Sequence, residues 1–288
     1  MSSPEKHSCR GSIIIASYNR CDDLKECLAS IPWTLCATMN VEIIVIDDGS
    51  SDDTVAMVKA HYPEARLLVN ETNQGLSQAH NRATLASHGQ LIMNIDSDVV
   101  VSEAWLNAML HADDGNTVLG GRILDYHDAH DQGGPRRATF LGKSLACAVE
   151  DANVGTGANL AFPRAVFDAI QGFDEDLPYY FEDRDFCIRA TRAGFAFRYL
   201  PEASLRHKGS EHCSGEAIRL QERHSVYAML KAYRRNPFMW LAFTLANGVW
   251  VDVRLLRWGL QGRFADCSRL ISGWCSAYAR FLFHPDRY

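Results

Sequence analysis

Through the first 125 residues, short runs of β-branched and aliphatic residues alternate with stretches of helical periodicity. Residues 12–16 (SIIIA), 41–46 (VEIIVI), 66–69 and 90–95 (QLIMNI) read as strands, and residues 22–31, 52–61, 77–87 and 102–111 as helices between and after them. A strand followed by a helix, several times over, returns to its sheet by a crossover. The expected fold is therefore α/β, with a mostly parallel central sheet and helices on both faces. The order of the strands is not encoded in this pattern.

Residues 125–151 are polar, rich in Gly, His and Arg, and read as a long excursion from the alternation. Strand character returns at 154–162, a helix at 164–170, and another at 183–193 closed by Gly194, a residue suited to the position after a helix. Residues 195–200 and 203–206 read as two strands, and from Glu216 onward the pattern is helical. The most apolar run, 238–251 (FMWLAFTLANGVWV), is interrupted by Asn247 and Gly248. Crossing a membrane takes ~20 apolar residues, so this run is expected to pack in a core or to lie in a membrane interface. Trp240, Trp250 and Trp258, with Arg254 and Arg257, favour the interface.

The chain of 288 residues is 47% apolar, enough for one large α/β domain with an appendage. Its nine cysteines form no C-x-x-C pair and fit reduced thiols in a cytosol. Residues 1–10 are polar, and no signal peptide is expected. The net charge of −6 is unevenly spread: residues 223–288 hold 10 Lys and Arg against 3 Asp and Glu, leaving the rest at −13. Such a basic, aromatic tail either meets anionic lipid or a phosphorylated partner or forms a solvated helical face.

In a sheet of this class, ligands sit beyond the carboxyl ends of the strands. Here the first strand runs into Ser17-Tyr18-Asn19-Arg20, the second into Asp47-Asp48-Gly49-Ser50 and the fourth into Asp96-Ser97-Asp98. Carboxylates gathered at one edge repel each other unless a cation joins them, and a divalent ion with an anionic ligand is the simplest such partner. Hard oxygen donors on a D-x-D turn suit Mg2+ or Mn2+ rather than zinc. The first strand–helix turn has no G-x-G-x-x-G, against a dinucleotide site, and the chain has no G-x-x-x-x-G-K-[ST] loop.

SIIIASYNR, VIDDGSSDDT, NQGLSQAHNRA, NIDSD, GANLAFPR and FEDRDFCIRATRAG follow one another at domain-compatible spacing. This set resembles the family 2 glycosyltransferases of GT-A fold, from residue 12 to about 210, roughly two-thirds of the chain. The resemblance implies an inverting, metal-dependent enzyme that moves one hexosyl or deoxyhexosyl unit. The donor would be a nucleoside-diphosphate sugar of UDP, dTDP or GDP type, and the acceptor a hydroxyl of a glycan or a lipid-linked glycan. It implies Mg2+ or Mn2+ as cofactor and no nucleic-acid partner. It also implies a GT-A domain at 10–215, with a nucleotide-sugar half at about 10–125 and an acceptor half at about 150–215, before a helical extension at 216–288.

By the same resemblance, Ala16, Tyr18 and Asn19 line the nucleotide pocket, and Asp48 hydrogen-bonds the base while Asp47 supports the turn. Asn73, Gly75 and Asn81 lie near the donor. Ala79-His80-Asn81 departs from the commoner Ala-Arg-Asn, which leaves open which cation meets the donor phosphates there. Asp98 and His207 bind the metal, and Asp96 contacts the ribose or the donor sugar. Asp183 is the base, Glu182 beside it belongs to the nucleotide-sugar site or supports the base, and Gly157 lies beneath the sugar, where a small residue lets the donor approach the backbone. Lys208 is either a phosphate contact or a surface lysine, and Tyr179-Tyr180-Phe181 either an acceptor platform or core.

Two other classes fit less well. An inactive nucleotide-sugar-binding protein would lack Asp98 or Asp183, and a nucleotidyltransferase would carry a Gly-rich basic loop after the first strand. A processive polysaccharide synthase is the nearer rival, but such enzymes usually carry Q-x-x-R-W and several spanning helices. Here Arg254-Leu255-Leu256-Arg257-Trp258 has Arg in place of Gln. The expected setting is surface polysaccharide or glycolipid synthesis, in the cytoplasm or peripherally on the inner face of its membrane.

Overall fold

The structure, a computed structural model, describes residues 9–132, 134–209 and 215–283; most of the polar start, Cys213 and residues 284–288 lie outside them. The described residues divide into two compact units, one of residues 9–132, 134–137, 146–178 and 182–209, the other of 138–145, 179–181 and 215–283.

The first unit is built on β1 (Gly11–Ser17), β2 (Val41–Asp47), β3 (Arg66–Val69), β4 (Leu91–Asp96), β5 (Val99–Val100), β6 (Thr117–Asp125), β9 (Asn159–Pro163) and β10 (Ala196–His207), in the spatial order β3-β2-β1-β4-β9-β6-β10-β5. Between β6 and β9, β7 (Arg136–Ala138) and β8 (Ser144–Ala146) pair as a ribbon within the segment read as an excursion. Only β9 and β5 run against the others. The sheet is thus mostly parallel, as its sequence implies, and β1 is buried along its whole length because layers cover both faces. The main core lies against one face and includes Ile13, Ile15, Val45, Met93, Ile95, Trp105 and Leu106.

Helices α1 (Cys21–Ser30), α2 (Trp33–Thr38), α3 (Thr54–His61), α4 (Leu76–Ala86), α5 (Glu103–Ala112), α6 (Arg164–Ile170) and α7 (Glu182–Arg192) complete this unit. Gly194 ends α7 as expected, with φ +96° and with Phe195 N–H donating back to the Ala190 carbonyl at 3.1 Å.

Besides the short β5, β7 and β8 and the later start of β9, the strands β6 and β10 differ from the sequence pattern. β6 carries Gly120-Gly121, which weakens a strand signal; a Cβ on Gly121 would stand 2.2 Å from the Asn159 amide nitrogen. That amide donates to the Arg122 and Ala203 carbonyls at 3.0 and 2.9 Å and accepts from Trp105 Nε1 at 2.8 Å, tying β9, β6, β10 and α5 together. The strands read at 195–200 and 203–206 are one strand, β10, whose register against β6 jumps between Leu200 and Ser204. Pro201, which has no N–H to give a ladder, sits in that bulge.

The second unit contains α8 (Gly215–Tyr233), α9 (Pro237–Leu260) and α10 (Phe264–Phe283). α8 and α10 cross closely at Gly273, where a Cβ would lie 2.5 Å from the Arg219 carbonyl. The Arg254 guanidinium packs over Trp250 and Trp258, 4.4 and 4.1 Å from their ring centres, and reaches the buried Glu222 carboxylate at 3.4 Å, which Lys143 also meets at 3.2 Å. The expectation that residues 238–251 are too short to span needs correction. The helix runs through Asn247 and Gly248 unbroken for 24 residues, about 36 Å. Among the described residues, α9 is the one helix long and apolar enough to cross a membrane by length and composition.

Candidate active site

Because β1, β2, β4, β6 and β10 point the same way, Ser17, Asp47, Asp96, Asp125 and His207 close their strands at one edge of the sheet. Ser17 stands opposite Asp47, Ala16 opposite Asp96, and His207 opposite both Asp125 and Val99. The tight turn from β4 into β5 carries Asp98 beside His207. The ring Nε2 of His207 lies 3.2 Å from Asp98 Oδ1 and 3.7 Å from Asp96 Oδ2.

Burial works against the Asp98 charge, but the His207 hydrogen bond and charge, with Arg20, outweigh it and hold this carboxyl below the usual range. Burial, and then the Asp98 charge, push Asp96 up to about 6; the Asp183 charge adds to that push, which makes Asp183 an electrostatic neighbour of the D-x-D. Burial pulls His207 down, but its bond to Asp98 and the two carboxylate charges raise it overall. One ligand atom from each of Asp96, Asp98 and His207 can be chosen so that all three lie within 4.8 Å of one another. Two hard carboxylates and an imidazole at that separation fit a Mg2+ or Mn2+ ion.

Asp183 lies in the first turn of α7. Its Oδ2 accepts the Gly157 N–H at 2.9 Å and its Oδ1 the Arg184 N–H at 2.6 Å, so the carboxylate is oriented while each oxygen keeps a further lone pair. An added Cβ on Gly157 would meet nothing closer than 3.7 Å. Glu182 is buried beside it. The two residues before this pair, Tyr180 and Phe181, hold φ of +61° and +140°, a strained backbone for aromatic residues. Tyr180 is exposed and Phe181 buried.

The loops after β1 and β2 are stitched together. Asn19, at φ +52°, donates its N–H to Ser50 Oγ at 2.9 Å and accepts the Ser51 N–H at 2.8 Å. Tyr18 beside it is exposed, and Ala16 is buried within β1. Asp48 is buried, and its carboxylate is already engaged: Oδ1 accepts from the Asn70 amide at 2.6 Å and the Gln74 N–H at 3.0 Å, and Oδ2 from the Gly75 N–H at 2.9 Å. Asp48 therefore shapes the 70–75 loop, of which Asn73 is an exposed member.

Asn81, His80 and Lys208 are each taken up by partners within the protein. Asn81 spends both amide hydrogens on the Phe173 carbonyl and on Glu175 Oε1, at 2.9 and 3.0 Å, and accepts the Phe173 N–H at 2.8 Å. It clamps the 173–175 loop. His80 is buried against Phe173, its pKa pushed down to about 4 by burial, and is no cation for a phosphate. Lys208 is paired with Asp23 at 2.8 Å and Glu26 at 2.6 Å. Arg20, given no role of its own by the sequence, joins the site. Its Nη1 lies 3.2 Å from Asp98 Oδ2 and 3.1 Å from Asp23, and the only local signal was its place after Asn19.

The family model for "Glycosyl transferase family 2" matches residues 12–170, more than half of the chain. The chain belongs to glycosyl transferase family 2. Among curated relatives of this family 2 enzyme, Glycosyltransferase AglE of Haloferax volcanii is 23% identical over 65% of this chain and 63% of its own length, just under two-thirds. An N-acetylglucosaminyl-diphospho-decaprenol L-rhamnosyltransferase of Mycobacterium tuberculosis is 27% identical over 90% of this chain and 92% of that protein. The mannosyltransferase PcManGT of Pyrobaculum calidifontis, solved with GDP-Man and Mn2+, shares the fold at TM-score 0.62 and 17% identity, covering 97% of this chain and 88% of that one. The family 2 domain here has the GT-A fold.

Proposed function

We propose that this glycosyltransferase moves a single sugar, with inversion, from a nucleoside-diphosphate donor of UDP, dTDP or GDP type to a hydroxyl of a glycan or lipid-linked acceptor. The observation that carries this reading is the gathering of a metal-fitting Asp96-Asp98-His207 cluster and the oriented Asp183 carboxylate in one electrostatic neighbourhood. Residues 10–125 form the donor half and 150–215 the acceptor half. Ala16 at the end of β1, Tyr18 and Asn19 on the stitched loop after it, and Asn73 on the 70–75 loop receive the nucleoside, with Asp48 and Gly75 fixing the shape of the 70–75 loop. Asp98 and His207 hold the ion, and Asp96 faces the ribose or donor sugar. When bound, Mg2+ or Mn2+ supplies positive charge against the leaving diphosphate.

Asp183 takes the proton of the acceptor hydroxyl as that oxygen attacks the anomeric carbon; the bond to the diphosphate oxygen breaks and its electron pair leaves with the nucleotide. Attack and departure on opposite faces invert the centre. Gly157, carrying no side chain next to Asp183, leaves room for the sugar.

The helical unit supplies the membrane contact. Phe238, Leu241, Leu245, Val249, Val253, Leu256 and Leu260 recur at helical spacing on α9 and are all more than half exposed, Leu260 at 90%. Arg234 and Arg235 precede this stripe, and Arg257 and Arg263 stand near its end. Phe243, Val251 and Trp258 pack inward. An amphipathic helix with basic ends suits the interface of an anionic membrane, on the cytoplasmic face, where a lipid-linked acceptor is carried.

The test is a panel of nucleotide sugars with Mn2+ and with EDTA, followed by NMR of the product's anomeric centre. Inverted product formed only with the ion supports the reading; retained configuration, or full turnover in EDTA, refutes it.

A further inference from the structure

Asp98 has two oxygens, and each faces a cationic or protonatable group of the protein itself. His207 takes Oδ1, and Arg20 takes Oδ2 at 3.2 Å. The Arg20 side chain is 40% exposed while that of Asp98 is 9% exposed, so the arginine comes in from the solvent side onto a nearly buried carboxylate. The same Nη1 also meets Asp23 at 3.1 Å, and Asp23 is fixed in turn by Lys208 at 2.8 Å. Arg20 thus has a second carboxylate to keep when it leaves Asp98. It follows Asn19, whose bonds to Ser50 and Ser51 hold the loop expected to receive the nucleoside.

From this geometry we infer that Arg20 is a placeholder cation. In the free enzyme it screens Asp98, and it must yield when a divalent ion takes that carboxylate. It then stays anchored on Asp23, and its remaining guanidinium N–H groups meet the donor diphosphate. Electrostatics favours such an exchange. Two carboxylates at one strand end repel, so a mobile positive charge keeps the site assembled before the ion arrives. A guanidinium has five donors in a planar fork, which lets it hold one carboxylate and still meet phosphate oxygens. The inference rests on the metal site proposed above, but it assigns a residue and an order of events which that reading does not contain.

The two halves of the role predict opposite effects. Removing Arg20 removes a competitor for Asp98. Mn2+ alone, titrated into Arg20→Ala and followed by the loss of the free-ion EPR signal, should bind about two- to fivefold more tightly than to wild type, the strength of an ion pair whose cation is open to solvent. Calorimetry at saturating Mn2+, with whichever of UDP, dTDP and GDP the wild type binds, should show weakening of about tenfold or more, as for a lost charged hydrogen bond. Arg20→Lys keeps the charge and should leave Mn2+ affinity near wild type. It also serves as the readable variant if the alanine protein does not fold.

A merely structural Arg20 would lower both affinities together, or neither, and either result overturns the inference. So does a lysine variant that behaves like alanine toward Mn2+. Asp98→Asn serves as the control. If wild type binds no Mn2+, or binds it equally well without Asp98, the metal site itself is refuted. If that control behaves as expected and only the opposite signs fail, the Arg20 role alone is lost.

Discussion

Asp98→Asn tests the centre of the proposed chemistry while leaving the fold a way to survive. Asparagine keeps the size of aspartate. Its amide oxygen can still accept from Arg20 Nη1, now 3.2 Å from Oδ2, and its NH2 can face a neutral His207 ring, now 3.2 Å from Oδ1. The D-x-D turn should therefore stay in place, and the melting temperature should change little. What is lost is the charge. A preorganised electrostatic partner of a developing charge is worth about 2.7–4 kcal/mol, so kcat/KM should fall by about 10²–10³-fold. Mn2+ titration should show the matching loss of affinity, and circular dichroism should be unchanged. A variant within tenfold of wild type, or a wild type fully active in excess EDTA, would refute the reasoning.

Asp183→Asn should leave donor binding, read by calorimetry, nearly intact and cut transfer by about 10²–10⁴-fold; a collapse in donor affinity with turnover preserved would make Asp183 a donor-site residue. Burial holds His80 and His224 neutral, with pKa values near 4 against 6.5 unperturbed, so the unfolded chain binds more protons between those values and stability falls as pH falls through that window. For His80 the loss approaches about 3 kcal/mol by pH 4; urea unfolding at several pH values should show it in wild type and lack it in His80→Met, and equal curves would remove it. Gly75→Ala puts a Cβ 2.6 Å from Pro178 at φ +93°, and should lower stability by about 1–3 kcal/mol and raise the donor KM by loosening the Asp48 loop. In flotation assays the whole protein should rise with anionic vesicles at low salt, and Leu245→Asp with Val249→Asp should abolish this; equal recovery with neutral and anionic vesicles would leave α9 without an electrostatic role.

How much of this molecule its sequence reveals depends on whether a feature is local. β1, β2 and β4 are predominantly apolar runs because both faces of the sheet are covered, and they read directly. β6 does not, because Gly120 and Gly121 serve partners far along the chain: the Phe197 ring and the Asn159 amide occupy the space their side chains would need. The apolar run of α9 reads as too short because Asn247 and Gly248 look like a break, yet a helical glycine costs only about 1 kcal/mol, and the inward packing of Phe243, Asn247 and Val251 carries the helix through. The candidate site divides in the same way. The D-x-D and the acidic start of α7 are short motifs at strand and helix ends, where the chain alone fixes their geometry. Arg20 and Asp98 are 78 positions apart and meet only because β1 and β4 are neighbours in the sheet, an order the strand pattern does not carry. Asn81 and His80 show the converse. A motif position announces a polar residue near the donor, but whether its polar atoms face the ligand or a loop is settled by what packs on it. Here Phe173 packs on both, so the departure from Ala-Arg-Asn leaves no cation at that point. A positive charge does reach this sheet edge from the β1–α1 loop, where Arg20 joins His207 in touching Asp98.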